Sequence, residues 1–193
     1  MSVTENLIHK CLENDALAQQ KLYQQHSALM YGVCMRFAKC KQEAEDILQE
    51  GFIKVFKHLK TFRNEGNLES WMRRIMINTA INFYKRKLPV FPDTDFERME
   101  SRRSDNNLVI SRLTHEEILA HVQSLPRGYR MVFNLYVIEG YTHPEIAKMM
   151  DISVNTSKSQ LSRAKVILKE KINRKERNHI MQSNYLPEMV VSY

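Results

Sequence analysis

The chain has 193 residues, 43% of them apolar, and a formal net charge of +7. This length and apolar content suffice for one medium-sized core or two small ones. The positive charge favours an anionic partner. Nucleic acid is favoured over membrane insertion, because no stretch approaches the roughly 18 apolar residues of a spanning helix. The first ten residues, MSVTENLIHK, lack the positively charged segment and the apolar segment of a signal peptide, so we expect a cytoplasmic protein.

Glycine and proline are scarce, and alternating β-branched residues are rare, which predicts an all-α fold. The three cysteines, Cys11, Cys34 and Cys40, form no CxxC pair. They are therefore interpreted as reduced packing residues rather than as a disulfide framework or a zinc site. We find no catalytic constellation, so no enzymatic activity, cofactor or metal is expected.

The first predicted domain, residues 1–88, contains three helices. Apolar residues at spacings of three and four predict these helices at about 15–39, 42–60 and 68–87. Asp15 suits the N-cap of the first helix. The inner side of that helix is predicted to carry Leu22, His26, Leu29, Val33 and Phe37.

The outer side of the second helix carries a row of acidic residues. Glu43, Asp46 and Glu50 follow one another on one side, and Ile53 comes next. Clustered carboxylates usually form a solvated surface, and a metal or acid–base site is weakly supported because no histidine or buried acid accompanies them. A docking face for a basic partner, with Ile53 as its apolar anchor, is the third interpretation.

A polar row also lies beside the apolar stripe of the third helix. It consists of Arg74, Asn78, Asn82 and Lys85, and the polar loop TFRNEGN at residues 61–67 precedes the helix. Cations can hold a nucleic-acid backbone while amides meet the edges of unpaired bases. The row is a candidate platform for unstacked nucleotides, and a solvated helix face is the alternative.

Residues 89–112 are predicted to be a flexible linker, because they combine two prolines with dense charge of both signs and no sustained period. A four-helix unit is predicted at 113–173. Thr114 opens it with a capping box, and Pro126 starts its second helix. We expect the tail, 174–193, to be disordered.

The last two helices of this unit, between Gly140 and Ile172, form a helix-turn-helix pattern. Thr142 begins the first helix with a capping box, and Ser153 can cap the second. The outer face of the second helix is polar and free of acids, as contacts in a DNA major groove require. Its residues are Asn155, Thr156, Ser159, Ser162 and Arg163, flanked by Lys158 and Gln160.

Charge supports this DNA-binding interpretation. Residues 156–177 hold eight Lys or Arg against two Glu, a local balance of +6. Two amphipathic helices joined by a turn also occur in proteins that never touch DNA. A basic helix that begins with an uncharged polar face is nevertheless typical of duplex-binding elements.

The two halves together resemble an extracytoplasmic-function (ECF) sigma factor of the sigma-70 family, a specificity subunit of bacterial RNA polymerase. The resemblance covers about residues 15–172. In the first half, EAEDILQEGFIKVFKHLKTF and SWMRRIMINTAINFYKRK match the polymerase-clamp helix and the strand-opening helix. In the second half, LPRGYRMVFNLYVIEGYTHPEIAKMMDISVNTSKSQLSRAK matches the reader of the upstream promoter element.

The resemblance implies a transcription initiation factor with core RNA polymerase, promoter DNA and an anti-sigma protein as partners. It implies contacts to the polymerase clamp from Asp46, Gln49 and Glu50. For the minus-10 element it implies contacts from Asn78 and from the 63–67 loop. The candidates in that loop are Arg63, Asn64 and Asn67.

For the minus-35 duplex, the resemblance implies contacts from Thr156, Lys158, Ser159 and Arg163. Two positions depart from the family pattern. Asp151 stands where glycine is common, so it must adopt a left-handed conformation. Ser157 replaces a usual valine on the packed face of the helix.

Two other functions are compatible with parts of the sequence. One is a polymerase-independent helix-turn-helix regulator whose first domain senses a ligand or dimerises; such a domain needs neither the acidic row nor the Arg74–Lys85 row. The other is a nucleic-acid hydrolase that uses the acidic row and a divalent metal. Metal-dependent cleavage of a plasmid would support the hydrolase.

Overall fold

The structure, a computed structural model, describes residues 3–62, 66–86 and 114–183. These residues form helices and contain no strand, so the all-α prediction is confirmed. The α-helices are α1 (Val3–Leu12), α2 (Ala16–Phe37), α3 (Lys41–His58), α4 (Leu68–Arg86), α5 (His115–Gln123), α6 (Arg127–Phe133), α7 (His143–Met150) and α8 (Val154–Ser183). Among the helices described, none combines the length and the apolar content of a bilayer span.

The first domain packs α2, α3 and α4 around one apolar core, with α1 against α2. Asp15 caps α2 as predicted, because its carboxylate accepts hydrogen bonds from the first backbone N–H groups of the helix. Leu29, predicted to be inward, is 49% exposed, and its neighbour Met30 is buried instead. The prediction was wrong by one position, since spacing alone does not fix the centre of a helix's buried stripe.

The second domain consists of α5 to α8. The capping boxes at Thr114 and Thr142 are both formed, so these two helix starts are confirmed. The helix predicted to start at Pro126 is divided into two segments. The α-helix ends at Phe133, and a π-helical segment, Asn134–Ile138, follows it.

The last helix is longer than the sequence predicted. We expected disorder from residue 174, whereas α8 continues to Ser183. Residues 174–183 contain no glycine or proline and are rich in Arg, Lys, Glu and Gln, which have high helix propensity. Residues 184–193 and the predicted linker at 89–112 lie outside the described residues.

The two domains pack directly on each other. Met131, Leu135 and Ile146 of the second domain are buried and belong to the same apolar cluster as the core of the first domain. A second, smaller cluster around Leu125 and Leu168 lies within the second domain. The two predicted domains therefore form one packed unit, a contact that was not predicted from the sequence.

Candidate nucleic-acid interface and acidic docking face

The predicted acidic row lies along one side of α3. We call it the acidic face and define it by Glu43, Asp46, Gln49, Glu50 and Ile53. Asp46 and Gln49 are exposed, and Ile53 is 67% exposed. An apolar side chain beside exposed polar groups has the composition of a small interaction surface.

Glu50 is already engaged within the first domain. Its carboxylate accepts hydrogen bonds from Lys54 Nζ at 2.8 Å and from the Arg86 guanidinium on α4. Burial raises the pKa of the Glu50 carboxyl, but the hydrogen bonds and charges of the two cations outweigh it and lower the pKa overall. Glu50 therefore ties α3 to the end of α4.

Glu43 is engaged as well. One carboxylate oxygen accepts a hydrogen bond from the Lys39 backbone N–H at 2.9 Å, near the start of α3. The other accepts one from Arg127 Nη2 at 2.7 Å, across the contact between the domains. Two of the three carboxylates of the acidic face thus have intramolecular partners, and only Asp46 points outward without a hydrogen bond to another described residue.

Groups of His, Cys, Asp and Glu arranged to hold a metal ion are absent from the part of the chain that the structure describes. Cys11, Cys34 and Cys40 are free thiols. Burial raises the pKa of the Cys34 thiol to about 12, which keeps it protonated and unreactive at neutral pH.

The residues of the candidate platform on α4 face solvent, as predicted. Arg74, Asn78, Asn82 and Lys85 are all exposed, and we call them the platform row. The opposite side of α4 is buried in the core of the first domain. Two cations and two amides therefore share one solvent-facing line on a rigid helix.

The loop before α4 is described only in part. Arg63 and Asn64 lie outside the described residues. Asn67 is exposed, and its side-chain oxygen accepts a hydrogen bond from the Glu69 N–H at 2.8 Å, which stabilises the first turn of α4. Phe62 and Trp71 pack across the loop with ring centroids 5.5 Å apart.

The helix-turn-helix presents its predicted outer face. This reading face consists of Asn155, Thr156, Lys158, Ser159, Ser162 and Arg163 on α8. All of these except Thr156 and Arg163 are exposed. Thr156 is held by Ser153, whose hydroxyl accepts the Thr156 N–H at 2.9 Å. Arg163 donates a hydrogen bond to the Tyr129 hydroxyl at 3.3 Å.

Gln160 was expected to flank the reading face, and this expectation was wrong. The residue is buried, and its side chain lies against Gly128 of α6. It shares a side of the helix with buried Ser157 and Ala164, three residues before it and four after. Gln160 is thus a packing residue at the contact between α6 and α8.

Both departures from the family pattern are accommodated, one at the turn between α7 and α8 and the other in the first turn of α8. Asp151 has φ 60° and ψ 48°, so the predicted left-handed conformation is confirmed. Ser157 is fully buried, and its hydroxyl lies 2.9 Å from His143 Nδ1. A polar residue on the packed face is tolerated because it has a hydrogen-bond partner.

His143 joins this contact to the π-helical segment. Its ring stacks on Tyr136 with 4.5 Å between centroids. Burial lowers the pKa of His143, and the charges of Lys158 and Lys165 lower it further, so the neutral ring is favoured. The neutral imidazole can hydrogen-bond Ser157 through Nδ1 and so hold α7 against the reading helix.

A group of polar residues at the contact between the domains was not predicted from the sequence. Gln123, Arg130, Asn134 and Glu139 all make hydrogen bonds to the first domain. Arg130 is 2% exposed. An arginine among the apolar residues of α6 was the available signal, because a charged side chain on an inward face needs buried partners.

Two models of known protein families match this chain. The model of sigma-70 region 2 matches residues 22–88, and the model of sigma-70 region 4 matches residues 115–168, together more than half of the chain. The ECF RNA polymerase sigma-E factor of Escherichia coli K12 is 28% identical over 141 residues, 67% of this chain and 74% of that protein. The RNA polymerase sigma-H factor of Pseudomonas aeruginosa is 28% identical over 172 residues, 83% of this chain and 89% of that protein.

Among solved structures, the sigma factor RpoE of Bartonella quintana, determined in complex with the anti-sigma factor NepR, shares 19% identity with this chain. The match has a TM-score of 0.48 and covers 78% of this chain and 94% of that one.

Proposed function

Because this chain belongs to the sigma-70 family and is an ECF-type sigma factor, we propose that it docks on core RNA polymerase through the acidic face and reads a two-part promoter with the platform row and the reading face. The observation that carries the proposal is the presence of both sigma regions, in order, on one chain whose three candidate surfaces lie on separate helices.

In this proposal, Asp46, Gln49 and Ile53 make the first contacts with polymerase because they are exposed. Glu43 and Glu50 add negative charge to the same side of α3, which favours a basic partner surface during encounter. Neither carboxylate is freely available in the closed chain, so their contacts with polymerase require an exchange of partners.

The two DNA-binding surfaces divide the promoter between them. The reading face on α8 contacts the minus-35 duplex, where amides, hydroxyls and guanidinium groups can meet base edges and phosphates. The platform row, with Arg63, Asn64 and Asn67 of the preceding loop, contacts the opened minus-10 strand. This division follows from the difference between a duplex groove and unstacked bases.

The proposed activity is non-catalytic and needs no cofactor or metal, and its place is the cytoplasm, where core polymerase and promoter DNA are found. An anti-sigma protein is a further proposed partner. The alternative, a polymerase-independent regulator, is supported only by the helix-turn-helix and leaves the acidic face and the platform row without a role.

The test is transcription from defined components. The full chain is mixed with core polymerase and a genomic promoter library, and the transcripts are sequenced. We expect initiation at a set of sites that share two elements and that core polymerase alone does not use. DNA binding without such initiation would favour the alternative regulator.

The docking assignment has a matched control on the same helix. Asp46→Lys should weaken binding to core polymerase roughly tenfold or more, because reversal places like charges together at the interface. Glu45→Lys makes the same change of charge at an exposed position beside the acidic face and should have a much smaller effect. Equal affinities of the two variants, measured by fluorescence anisotropy, would contradict the assignment.

The platform row predicts two different phenotypes. Asn78→Ala should lower discrimination at one minus-10 position by roughly 1–3 kcal/mol, while Lys85→Ala should weaken binding to every promoter alike. Both can be measured on fork-junction templates with each base substituted in turn. A uniform loss of affinity in Asn78→Ala would leave base recognition to the loop before α4.

A further inference from the structure

Tyr129 of α6 reaches the reading face from a neighbouring helix. Its hydroxyl accepts a hydrogen bond from Arg163 Nη1 at 3.3 Å. Arg163 lies four residues after Ser159 and seven after Thr156, so it shares their side of α8. Tyr129 and Arg163 are both half-buried. A guanidinium of the reading face is therefore held by a residue outside the helix-turn-helix.

The ring of Tyr129 is fixed by packing between α6 and α8. It packs against the small apolar cluster around Leu125 and Leu168. Gly128 allows α6 to approach α8 closely, because a Cβ at this position would lie 3.1 Å from Gln160 Nε2. Tyrosine has only two side-chain torsions and loses little conformational entropy when its ring is packed. The hydroxyl of Tyr129 therefore has a defined position beside the reading face.

A separate hydrogen bond fixes α8 about two turns after Arg163. Lys171 Nζ donates to the Ser124 hydroxyl at 2.6 Å, in the connection between α5 and α6. Between these two positions, Ala164 and Leu168 are buried. The direction of α8 therefore does not depend on the Tyr129 hydroxyl. Removal of that hydroxyl changes how the Arg163 side chain is held without moving the helix.

The hydrogen bond to Tyr129 orders a side chain that has many rotamers. Ordering an arginine before DNA arrives lowers the entropy cost of its contact with a base. A neutral phenol oxygen is a weaker acceptor than a carboxylate or a phosphate, so it holds the guanidinium without competing strongly with DNA. The planar fork then has a defined orientation, which a bidentate pair with O6 and N7 of guanine requires.

We propose that Tyr129 is a positioning residue for minus-35 recognition, which orients the Arg163 guanidinium toward one guanine of the duplex. This inference deepens the proposed function and rests on it, because the orientation matters only when the reading face binds the minus-35 duplex. Tyr129 itself contacts no base. It lowers the cost of the base contact that Arg163 makes.

The test compares Tyr129→Phe with Tyr141→Phe in the full chain bound to core polymerase. The first substitution keeps the packed ring and removes the hydroxyl. The second makes the same change at another half-buried tyrosine of the second domain. Competition binding is measured on promoter duplexes with each minus-35 base pair substituted in turn. Arg163→Ala, measured on the same duplexes, identifies the base pair that Arg163 reads.

We expect Tyr129→Phe to lower discrimination about fivefold at the base pair that Arg163 reads, as the loss of one net hydrogen bond implies, and to leave the other positions unchanged. Tyr141→Phe should match the wild type. In the Arg163→Ala background, Tyr129→Phe should have no further effect, because the two side chains act as one unit. Additive losses would overturn the proposal. Equal losses at every position would also overturn it and would assign Tyr129 a phosphate contact of its own.

A measurement without DNA separates the positioning role from the proposed function. Tyr129→Phe should lower the NMR order parameter of the Arg163 Nε–H group in the unbound chain, whereas Tyr141→Phe should not. An unchanged order parameter in Tyr129→Phe would overturn the positioning role, even if DNA binding were altered. If the wild-type chain with core polymerase binds no promoter duplex, the proposed function fails and the recognition role fails with it. A lowered order parameter would then still show that Tyr129 orders Arg163.

Discussion

The acidic face on α3 and the reading face on α8 are both rows of polar residues on one side of a helix, but they contribute differently to the stability of the fold. Two carboxylates of the acidic face hold structure together, since Glu50 links α3 to α4 and Glu43 links α3 to α6. The reading face is positioned mainly by residues outside it, including Ser153, Ser157 and Asp151. Substitutions on the acidic face therefore mix folding with docking, whereas most substitutions on the reading face report on DNA binding alone.

The largest expected effect lies on the reading face. Asn155 is exposed, and an asparagine amide can pair with two atoms of one adenine edge. Asn155→Ala should lower discrimination at one minus-35 position by roughly 1–3 kcal/mol and leave the free energy of unfolding unchanged. Competition binding on duplexes substituted at each position measures the first quantity, and urea denaturation the second.

A loss of stability in Asn155→Ala would remove the contrast between the two faces. Lys158→Ala is the matched control, because a phosphate contact should weaken all sequences alike and reduce the salt dependence of binding.

The next largest effect is a change in the free energy of unfolding, and it lies on the acidic face. Glu50→Gln should destabilise the chain by roughly 0.5–1 kcal/mol at neutral pH, because it breaks two partly exposed ion pairs. Asp46→Asn on the same face should change the free energy of unfolding little. Equal stabilities of the two variants in urea denaturation would show that the ion pairs of Glu50 contribute nothing.

The effect of Glu50 depends on pH. Because the pKa of this carboxyl is lowered in the folded chain, its stabilisation is present above the unfolded value of 4.5 and is lost as the pH falls through the folded value. Wild type and Glu50→Gln should therefore converge in stability in acid. A constant difference between them down to low pH would assign the effect to packing instead of charge.

Local rules predicted much of the fold. The starts of α2, α5 and α7 follow from side chains that cap the following turn, Asp15, Thr114 and Thr142, and such caps act over three residues of sequence. The left-handed conformation of Asp151 was predicted from the family resemblance, because Asp151 stands where glycine is common. These features need no knowledge of the other domain.

The features that were missed depend on distant contacts. Asn134 and Glu139, at the two ends of the π-helical segment, bond to Arg36 of α2, about a hundred residues earlier in the chain. Gln160 is buried because Gly128 leaves space on α6. Periodicity identifies which side of a helix is apolar, but it does not identify which polar residues another element will cover.

The smallest expected effect is on the pH dependence of stability. It concerns His143, which supports the reading helix α8 through Ser157. Because the pKa of His143 is lowered by burial and by neighbouring lysines, the unfolded chain takes up a proton first as the pH falls below 6.5, the ordinary pKa of histidine. The stabilising contribution of the neutral ring is complete above that pH and declines below it. His143→Gln should reduce the loss of stability between pH 7.5 and 5.5, as measured by urea denaturation, whereas His58→Gln, at an exposed position on α3, serves as the control. An identical pH dependence in wild type and His143→Gln would mean that the ring positions the reading helix equally well in either protonation state.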